Sequence, residues 1–315
     1  MMFRTALLSV ILLFFLAACS APANDASQQD DRILQVVATT TIVGDVVSQV
    51  GGDAIDLTVL LPPGTDPHGF QPTPQDMTRV ADAQVIFMNG AGLEAFMQSL
   101  LEKSGSQARL VEVSQDIPLL GAASHDESEE DDAHSEEGVH TGDPHVWMDP
   151  NNVLIWVDHI ERVLVEIDPQ NAALFNKNAE SYRQELIELD RWILEQVAQI
   201  PEPNRELVTD HQLFIYFADR YGFEQIGAIV PGYSTLSEPS AQELAQLEDA
   251  IRELGVRAIF VGNTVNPGLA QRLANDTGTK LVFFYTGSLT EATGPAPTYL
   301  DYMRFNVQAI VEALK

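Results

Sequence analysis

The chain has 315 residues, 45% of them hydrophobic, and a formal net charge of −29 at pH 7. This length and apolar content predict two globular domains of roughly 100–200 residues each. The acidic charge argues against nucleic acid as a partner, because phosphates attract lysine and arginine, and it disfavours adsorption to anionic lipid.

The N-terminus predicts an export signal that ends in a lipid anchor. Arg4 precedes an apolar run at residues 6–16, which is too short to span a bilayer and is typical of the core of a signal peptide. Small residues then precede Cys19, in a pattern that resembles the bacterial lipobox, where the thiol is lipidated and becomes the first residue. We therefore expect a signal peptide at 1–18 and a lipidated flexible tether at 19–32. The protein would then be exported, anchored to the cell membrane, and face the periplasm or the extracellular side.

From residue 33 the sequence alternates between buried strands and amphipathic helices. Strands are predicted at residues 35–39, 55–61, 85–88 and 109–113, and helices at 42–50, from 73 onwards and near 93–102. Such β/α alternation predicts a mostly parallel sheet flanked by helices. We expect an N-terminal α/β lobe at 33–167.

An acidic segment at residues 121–142 interrupts this pattern. Eight acidic residues lie between residues 126 and 137, and His125, His134 and His140 punctuate the segment. It has no apolar periodicity, so we expect a mobile surface loop. The three histidines are candidates for an auxiliary metal loop.

A long helix follows and predicts a division into two lobes. After a helix at 152–167, the helical pattern continues from 171 to 200, which corresponds to about 45 Å at 1.5 Å per residue. That length exceeds a small domain, so we expect a linking helix at 168–200. The β/α pattern then resumes and predicts a C-terminal α/β lobe at 201–315. Its predicted strands lie at 207–209, 258–261 and 280–285, and its helices at 214–221, 240–254, 267–277 and 299–314.

Three histidines lie in dense local signatures that are far apart in the chain. His68 follows Asp-Pro and precedes Gly-Phe, His145 lies in Asp-Pro-His-Val-Trp, and His211 lies in Thr-Asp-His-Gln. His68 and His211 each follow a predicted strand, and ligands of open α/β sheets bind outside the carboxyl ends of the strands. Imidazole suits zinc and its neighbours in the first transition row. We therefore expect a metal site in the cleft between the lobes.

These signatures resemble those of the zinc/manganese substrate-binding lipoproteins of bacterial ABC importers, the cluster A-I solute-binding proteins, which include proteins of the cell adhesion family. The similar segments are residues 64–74, 143–150, 209–216, 238–240 and 299–306. The resemblance implies two α/β lobes joined by one long helix, with a metal ion between them. It places the ligands at His68, His145 and His211, and it implies a monomer that delivers the metal to a membrane permease with its ATPase.

The resemblance favours Zn²⁺ over Mn²⁺. The acidic histidine-bearing loop is similar to that of the zinc-specific branch, and manganese-binding members commonly have glutamate where this chain has His211. A manganese- or iron-binding receptor of the same family is the alternative.

The sequence does not determine the fourth ligand of the metal. Many relatives have aspartate where this chain has Gly287, and glycine has no ligating side chain. Water, Glu291 and a histidine of the acidic loop are three candidates for this position, and we favour water or Glu291.

Two further expectations follow from a three-histidine site. Each ring should donate its other N–H to an acceptor, and Asp66, Asp149 and Asp210 are the candidates by proximity in the sequence. Because only neutral imidazole binds metal, the affinity should fall as the pH drops through about 6.5.

Two other classes of protein could use such a site. Three histidines and a water also coordinate catalytic zinc, but the sequence has neither His-Glu-x-x-His nor Gly-x-Ser-x-Gly, so we expect no enzyme. An adhesin-like surface protein could use zinc structurally, and it would unfold without the metal.

Overall fold

A computed structural model describes residues 33–121 and 142–315. The expected signal peptide, Cys19 and the tether lie outside the described residues. So do His125, His134 and His140 of the acidic segment.

The N-terminal lobe contains a parallel four-stranded sheet. Its strands are β1 (Leu34–Ala38), β2 (Ile55–Val59), β3 (Val85–Met88) and β4 (Arg109–Glu112), in the order β2-β1-β3-β4. Its helices are α1 (Thr41–Gly51), α2 (Pro74–Asp82) and α3 (Met97–Ser104). Thr73 and Asp76 form a capping box at the start of α2, which ends the loop that carries His68.

The C-terminal lobe repeats this architecture. Its strands are β5 (Glu206–Thr209), β6 (Glu224–Ala228), β7 (Ala258–Gly262) and β8 (Lys280–Phe284), all parallel and in the order β6-β5-β7-β8. Its helices are α6 (Ile215–Tyr221), α7 (Ala241–Leu254), α8 (Gly268–Thr277) and α9 (Tyr299–Leu314).

Strand β6 was not predicted from the sequence. It lies at the edge of its sheet, is not fully buried at any position, and contains two polar residues and a glycine. Without an apolar alternation, only its pairing with β5 identifies it as a strand.

A long helix links the two lobes. Helix α4 (Pro150–Ile167) packs along α5 (Ala172–Val197), and a short turn at Pro169–Asn171 separates them. Helix α5 has 26 residues, about 39 Å in length, and it contacts both α1 of the first lobe and α9 of the second. Two parallel sheets flanked by helices and joined by one long helix confirm the predicted fold class. The lobe boundaries proposed from the sequence stay a prediction.

One hydrophobic core runs from lobe to lobe. It includes Val36 of β1, Trp156 of α4, Leu186 of α5, Phe260 of β7 and Tyr299 of α9, all essentially inaccessible to solvent. Apolar burial of this extent stabilises the packing of the two lobes against each other. Within residues 33–121 and 142–315, none of the helices has the length and apolarity needed to cross a membrane.

Candidate metal centre

The three histidines converge at the carboxyl ends of the sheets, where the lobes meet. His68 lies between β2 and α2, His145 lies just before α4, and His211 follows β5. The Nε2 atom of His145 is 3.1 Å from that of His68 and 3.2 Å from that of His211. His145 and His211 are buried, and His68 is partly buried.

The arrangement fits a small transition-metal cation. One nitrogen from each ring lies within 4.8 Å of the others. Two imidazole nitrogens bound tetrahedrally to zinc at about 2.0–2.1 Å lie roughly 3.3–3.4 Å apart, close to the observed separations. Three ring nitrogens at this spacing cannot all be satisfied by hydrogen bonds to one another, whereas one cation can bind all three lone pairs.

Two of the rings are held by carboxylates. Nδ1 of His145 donates to Asp143 Oδ1 at 2.6 Å, and Nδ1 of His211 donates to Asp210 Oδ1 at 2.7 Å. A proton on Nδ1 leaves the lone pair of Nε2 free for a metal. The same two carboxylate oxygens also accept the backbone N–H groups of His145 and His211. Each carboxylate therefore fixes both the main chain and the ring of its histidine.

The expected acceptors are only partly correct. Asp210 holds His211 as expected, but Asp143 replaces Asp149 as the acceptor for His145. Asp149 instead caps helix α4 by accepting the N–H of Asn151. Asp66 accepts the backbone N–H of His68 at 3.1 Å and does not contact its ring. An Asp-Pro pair directly precedes both His68 and His145 in the sequence. This repeated pattern is the sequence signal that could have identified Asp143 as the acceptor.

Burial favours the neutral form of the His68 and His145 rings. Desolvation, followed by repulsion from His145 and His211, lowers the pKa of His68 to about 2. Desolvation also lowers the pKa of His145 well below its usual value, and His211 adds to that effect. For these two candidate ligands, protonation of the ring would compete with metal binding at a lower pH than the sequence suggested, because a charged imidazole is poorly solvated there.

Asp143 gives a second indication of a cation. Its Oδ2 is buried and has no hydrogen-bond partner. Burial raises the pKa of this carboxyl to about 7, while the N–H of His145 opposes the shift. A divalent cation on His145 would stabilise the negative charge of this buried group, since opposite charges attract strongly at low dielectric.

A buried carboxylate in the first lobe supports the segment before His145. Glu94 accepts hydrogen bonds from Thr39 Oγ1 at 2.6 Å and from the N–H of Asn89 at 2.8 Å. The side chain of Asn89 then donates to the carbonyl of Pro144 at 3.0 Å. Sequence reasoning did not find Glu94 or Asn89, because their contacts with this segment arise only in the folded chain.

No side chain fills the fourth position in the described part of the chain. Gly287 is buried next to Pro67, the residue before His68. A Cβ at Gly287 would lie 2.7 Å from Pro67 Cδ. Glu291 is exposed and does not belong to the metal-capable group, which consists of the three histidines.

Comparisons with known proteins identify the family of this chain. The family model described as "Zinc-uptake complex component A periplasmic" matches residues 36–313. The chain therefore belongs to this family of metal-binding substrate-binding proteins of ABC importers. Its homologues are substrate-binding lipoproteins of ABC transporters and not enzymes, in agreement with the expectation from the sequence.

The named relatives differ in the metal that their names state. The chain is 34% identical to the manganese-binding lipoprotein MntA of Halalkalibacterium halodurans over 97% of both chains. It is 28% identical to the iron-binding protein YfeA of Yersinia pestis over 98% of this chain and 94% of the relative. The solved periplasmic zinc-binding protein TroA of Treponema pallidum is 28% identical and superimposes with a TM-score of 0.78, covering 89% of this chain and 98% of that one.

Proposed function

We propose that this protein captures Zn²⁺ outside the cytoplasm with His68, His145 and His211 and delivers it to a membrane permease driven by an ATPase. The observation that carries the proposal is a group of three imidazoles, two of them buried, that includes no carboxylate among the described residues. Nitrogen donors suit zinc, whereas Mn²⁺ prefers carboxylate and water oxygens. The exposed position of Glu291 favours water as the fourth ligand over this carboxylate.

Metal titration of the soluble chain from Ser20 tests this proposal. We expect one tightly bound zinc per chain, lost in His68→Ala, His145→Ala and His211→Ala, while each metal-free variant stays folded. His134→Ala is the matched control, because it removes a histidine outside the group and should keep the tight site. Tight zinc that survives all three substitutions would overturn the assignment, and unfolding of the metal-free wild type would favour structural zinc.

A manganese receptor is the second candidate, and the similarity to a manganese-binding lipoprotein supports it. Competition between Zn²⁺ and Mn²⁺ for the wild-type chain separates the two candidates. A higher affinity for Mn²⁺ than for Zn²⁺ would indicate that the protein serves manganese uptake.

The acidic segment is proposed to collect zinc for the cleft. His125, His134 and His140 would bind additional metal weakly, as histidine-rich tracts do. Deleting residues 124–141 should remove the weak equivalents and keep the tight one. Weak equivalents that persist after the deletion would contradict this role.

Cys19 is proposed as the lipid anchor of a monomeric receptor. In a bacterial host, Cys19→Ser should move the protein from the membrane fraction to the soluble exported fraction, because the thiol that carries the lipid is removed. An unchanged membrane fraction would contradict the anchor.

A further inference from the structure

The three ligands are not held in the same way. The rings of His145 and His211 donate to buried carboxylates that lie in their own lobes. The hydrogen bonds of His68 within the described residues are its backbone N–H to Asp66 and the close approach of its Nε2 to His145. Asp66 is therefore the one side chain in this part of the structure that orients the His68 segment by a hydrogen bond to His68 itself.

Asp66 is in turn held from the other lobe. Its Oδ2 accepts a hydrogen bond from Thr235 Oγ1 at 2.5 Å, while its Oδ1 accepts the N–H of His68. Thr235 lies in the segment between β6 and α7 of the C-terminal lobe. The two oxygens of one carboxylate thus join His68 to the opposite lobe.

The segment that carries Thr235 is tied to His211. The N–H of Val230 donates to the carbonyl of Asp210 at 2.7 Å, and the N–H of Gln212 donates to the carbonyl of Gly232 at 3.0 Å. These bonds lie on both sides of His211 in the sequence. The main chain around His211 therefore positions the segment that carries Thr235.

The segments that carry His68 and Thr235 also approach each other through apolar atoms. A Cβ built on Gly69 would lie 3.5 Å from Leu236 Cδ2, so the residues that follow His68 and Thr235 also meet across the cleft. The contact is local, since Leu236 remains 67% exposed.

We propose that Thr235 is a positioning residue for His68. Through Asp66 it holds the His68 segment against the pair formed by His145 and His211, and so slows the departure of the metal. His68 is then the ligand whose release the permease would trigger, because the carboxylate that accepts its backbone N–H is itself held from the opposite lobe. The inference rests on the proposed metal site and adds a residue that does not itself bind the metal.

Two substitutions separate the hydroxyl from the shape of the side chain. Thr235→Val keeps the volume and removes the donor, whereas Thr235→Ser keeps the donor. In the purified mature protein loaded with zinc, the rate of zinc release to excess chelator should rise about tenfold in Thr235→Val, a factor that corresponds to about 1.4 kcal/mol. Thr235→Ser should release zinc at nearly the wild-type rate. Equal acceleration in both variants, or none in Thr235→Val, would overturn the proposal.

A measurement on the metal-free protein tests the positioning role of Thr235 independently of the zinc affinity. In imidazole NMR spectra of the apo protein, Thr235→Val should shift or broaden the signals of His68 more strongly than those of His211, whose ring is held by Asp210. If Thr235 only supported the fold of its own segment, its replacement would disturb His211 and His68 equally, because that segment is hydrogen-bonded to the residues on both sides of His211. Equal disturbance of His211 and His68 would therefore count against the proposal.

A double-mutant cycle tests the route through Asp66. Once Asp66→Ala has removed the acceptor, Thr235→Val should cause no further acceleration, because contacts that act through one another are not additive. Full additivity would overturn the proposed route. If the wild type holds no tight zinc, or keeps it in His68→Ala, the proposed function itself fails. If zinc is tight and depends on His68 but leaves Thr235→Val at the wild-type rate, only the positioning role fails.

Discussion

Asp143 Oδ1 accepts both the backbone N–H and the ring Nδ1–H of His145, at 2.8 and 2.6 Å. The two residues are separated by one proline, so the contact is local in the chain and buried in the fold. It selects the tautomer that directs Nε2 toward the other two histidines.

Replacing Asp143 with asparagine should weaken zinc binding by about 10–100-fold, the usual cost of losing an acceptor behind a ligating histidine. Competition titration with a chromophoric chelator measures the change. Asp149→Asn is the matched control in a second Asp-Pro pair, and asparagine caps a helix as well as aspartate does. Equal weakening in both variants would show that Asp143 has no special relation to the metal.

The stability of the metal-free protein should depend on pH through His68. Unfolded His68 gains a proton as the pH falls below 6.5, whereas the folded residue, with its pKa lowered to about 2, stays neutral. Acid therefore favours the unfolded state of the wild type more than that of His68→Ala. The free energy of unfolding of the variant should rise relative to wild type by up to about 1.4 kcal/mol per pH unit below 6.5.

Urea unfolding of both metal-free proteins at about pH 7.5 and 5.5 measures this difference. Comparing the two proteins cancels the opposite contributions of Asp143 and Glu94, whose pKa values burial raises to about 7. A difference in unfolding free energy that does not change with pH would show that folded His68 titrates normally.

Gly287 should influence the choice of metal. Any side chain at this position pushes on Pro67, because a Cβ would lie 2.7 Å from its Cδ. Gly287→Ala should therefore weaken zinc binding through displacement of the His68 segment. Gly287→Asp has the same steric effect but adds an oxygen donor, which Mn²⁺ prefers.

The informative quantity is the ratio of manganese to zinc affinity in each variant, measured by competition. It should be higher in Gly287→Asp than in Gly287→Ala, which controls for the steric effect. The same ratio in the two variants would mean that the aspartate does not reach the metal.

Glu94 should be important for stability. Removing its carboxylate in Glu94→Ala leaves Thr39 Oγ1 and the N–H groups of Asn89 and Gly90 without their acceptor. We expect a loss of roughly 3 kcal/mol in the free energy of unfolding, since buried unpaired donors each cost about 1–3 kcal/mol. Denaturant unfolding of the metal-free protein measures it.

Glu102→Ala is the control for this loss, because Glu102 is exposed and accepts only a surface hydrogen bond from Gln98. Its effect should stay within about 0.5 kcal/mol. Comparable losses in both variants would contradict the role assigned to Glu94.

Elements with strong local signals were predicted closely. Ser240 and Glu243 form the capping box that begins α7, and Gly255, with a φ of 71°, ends it, as the sequence indicated. Such signals depend on residues within one or two turns of one another. Strand β6 lacked them, because its polar residues and Gly227 tolerate an edge position that only the neighbouring β5 defines.

By itself, the sequence determined the β/α alternation, the long helix and the three histidines with their motifs, because these depend on periodicity and on neighbours in the chain. Only the tertiary structure decided which carboxylate orients the ring of His145, since Asp143 and Asp149 both lie within four residues of it in the sequence. It also decided the depressed pKa of His68, the exposure of Glu291 and the bond from Thr235 to Asp66. Those properties arise from desolvation and from contacts between residues distant in sequence, and they exist only once the two lobes have packed together.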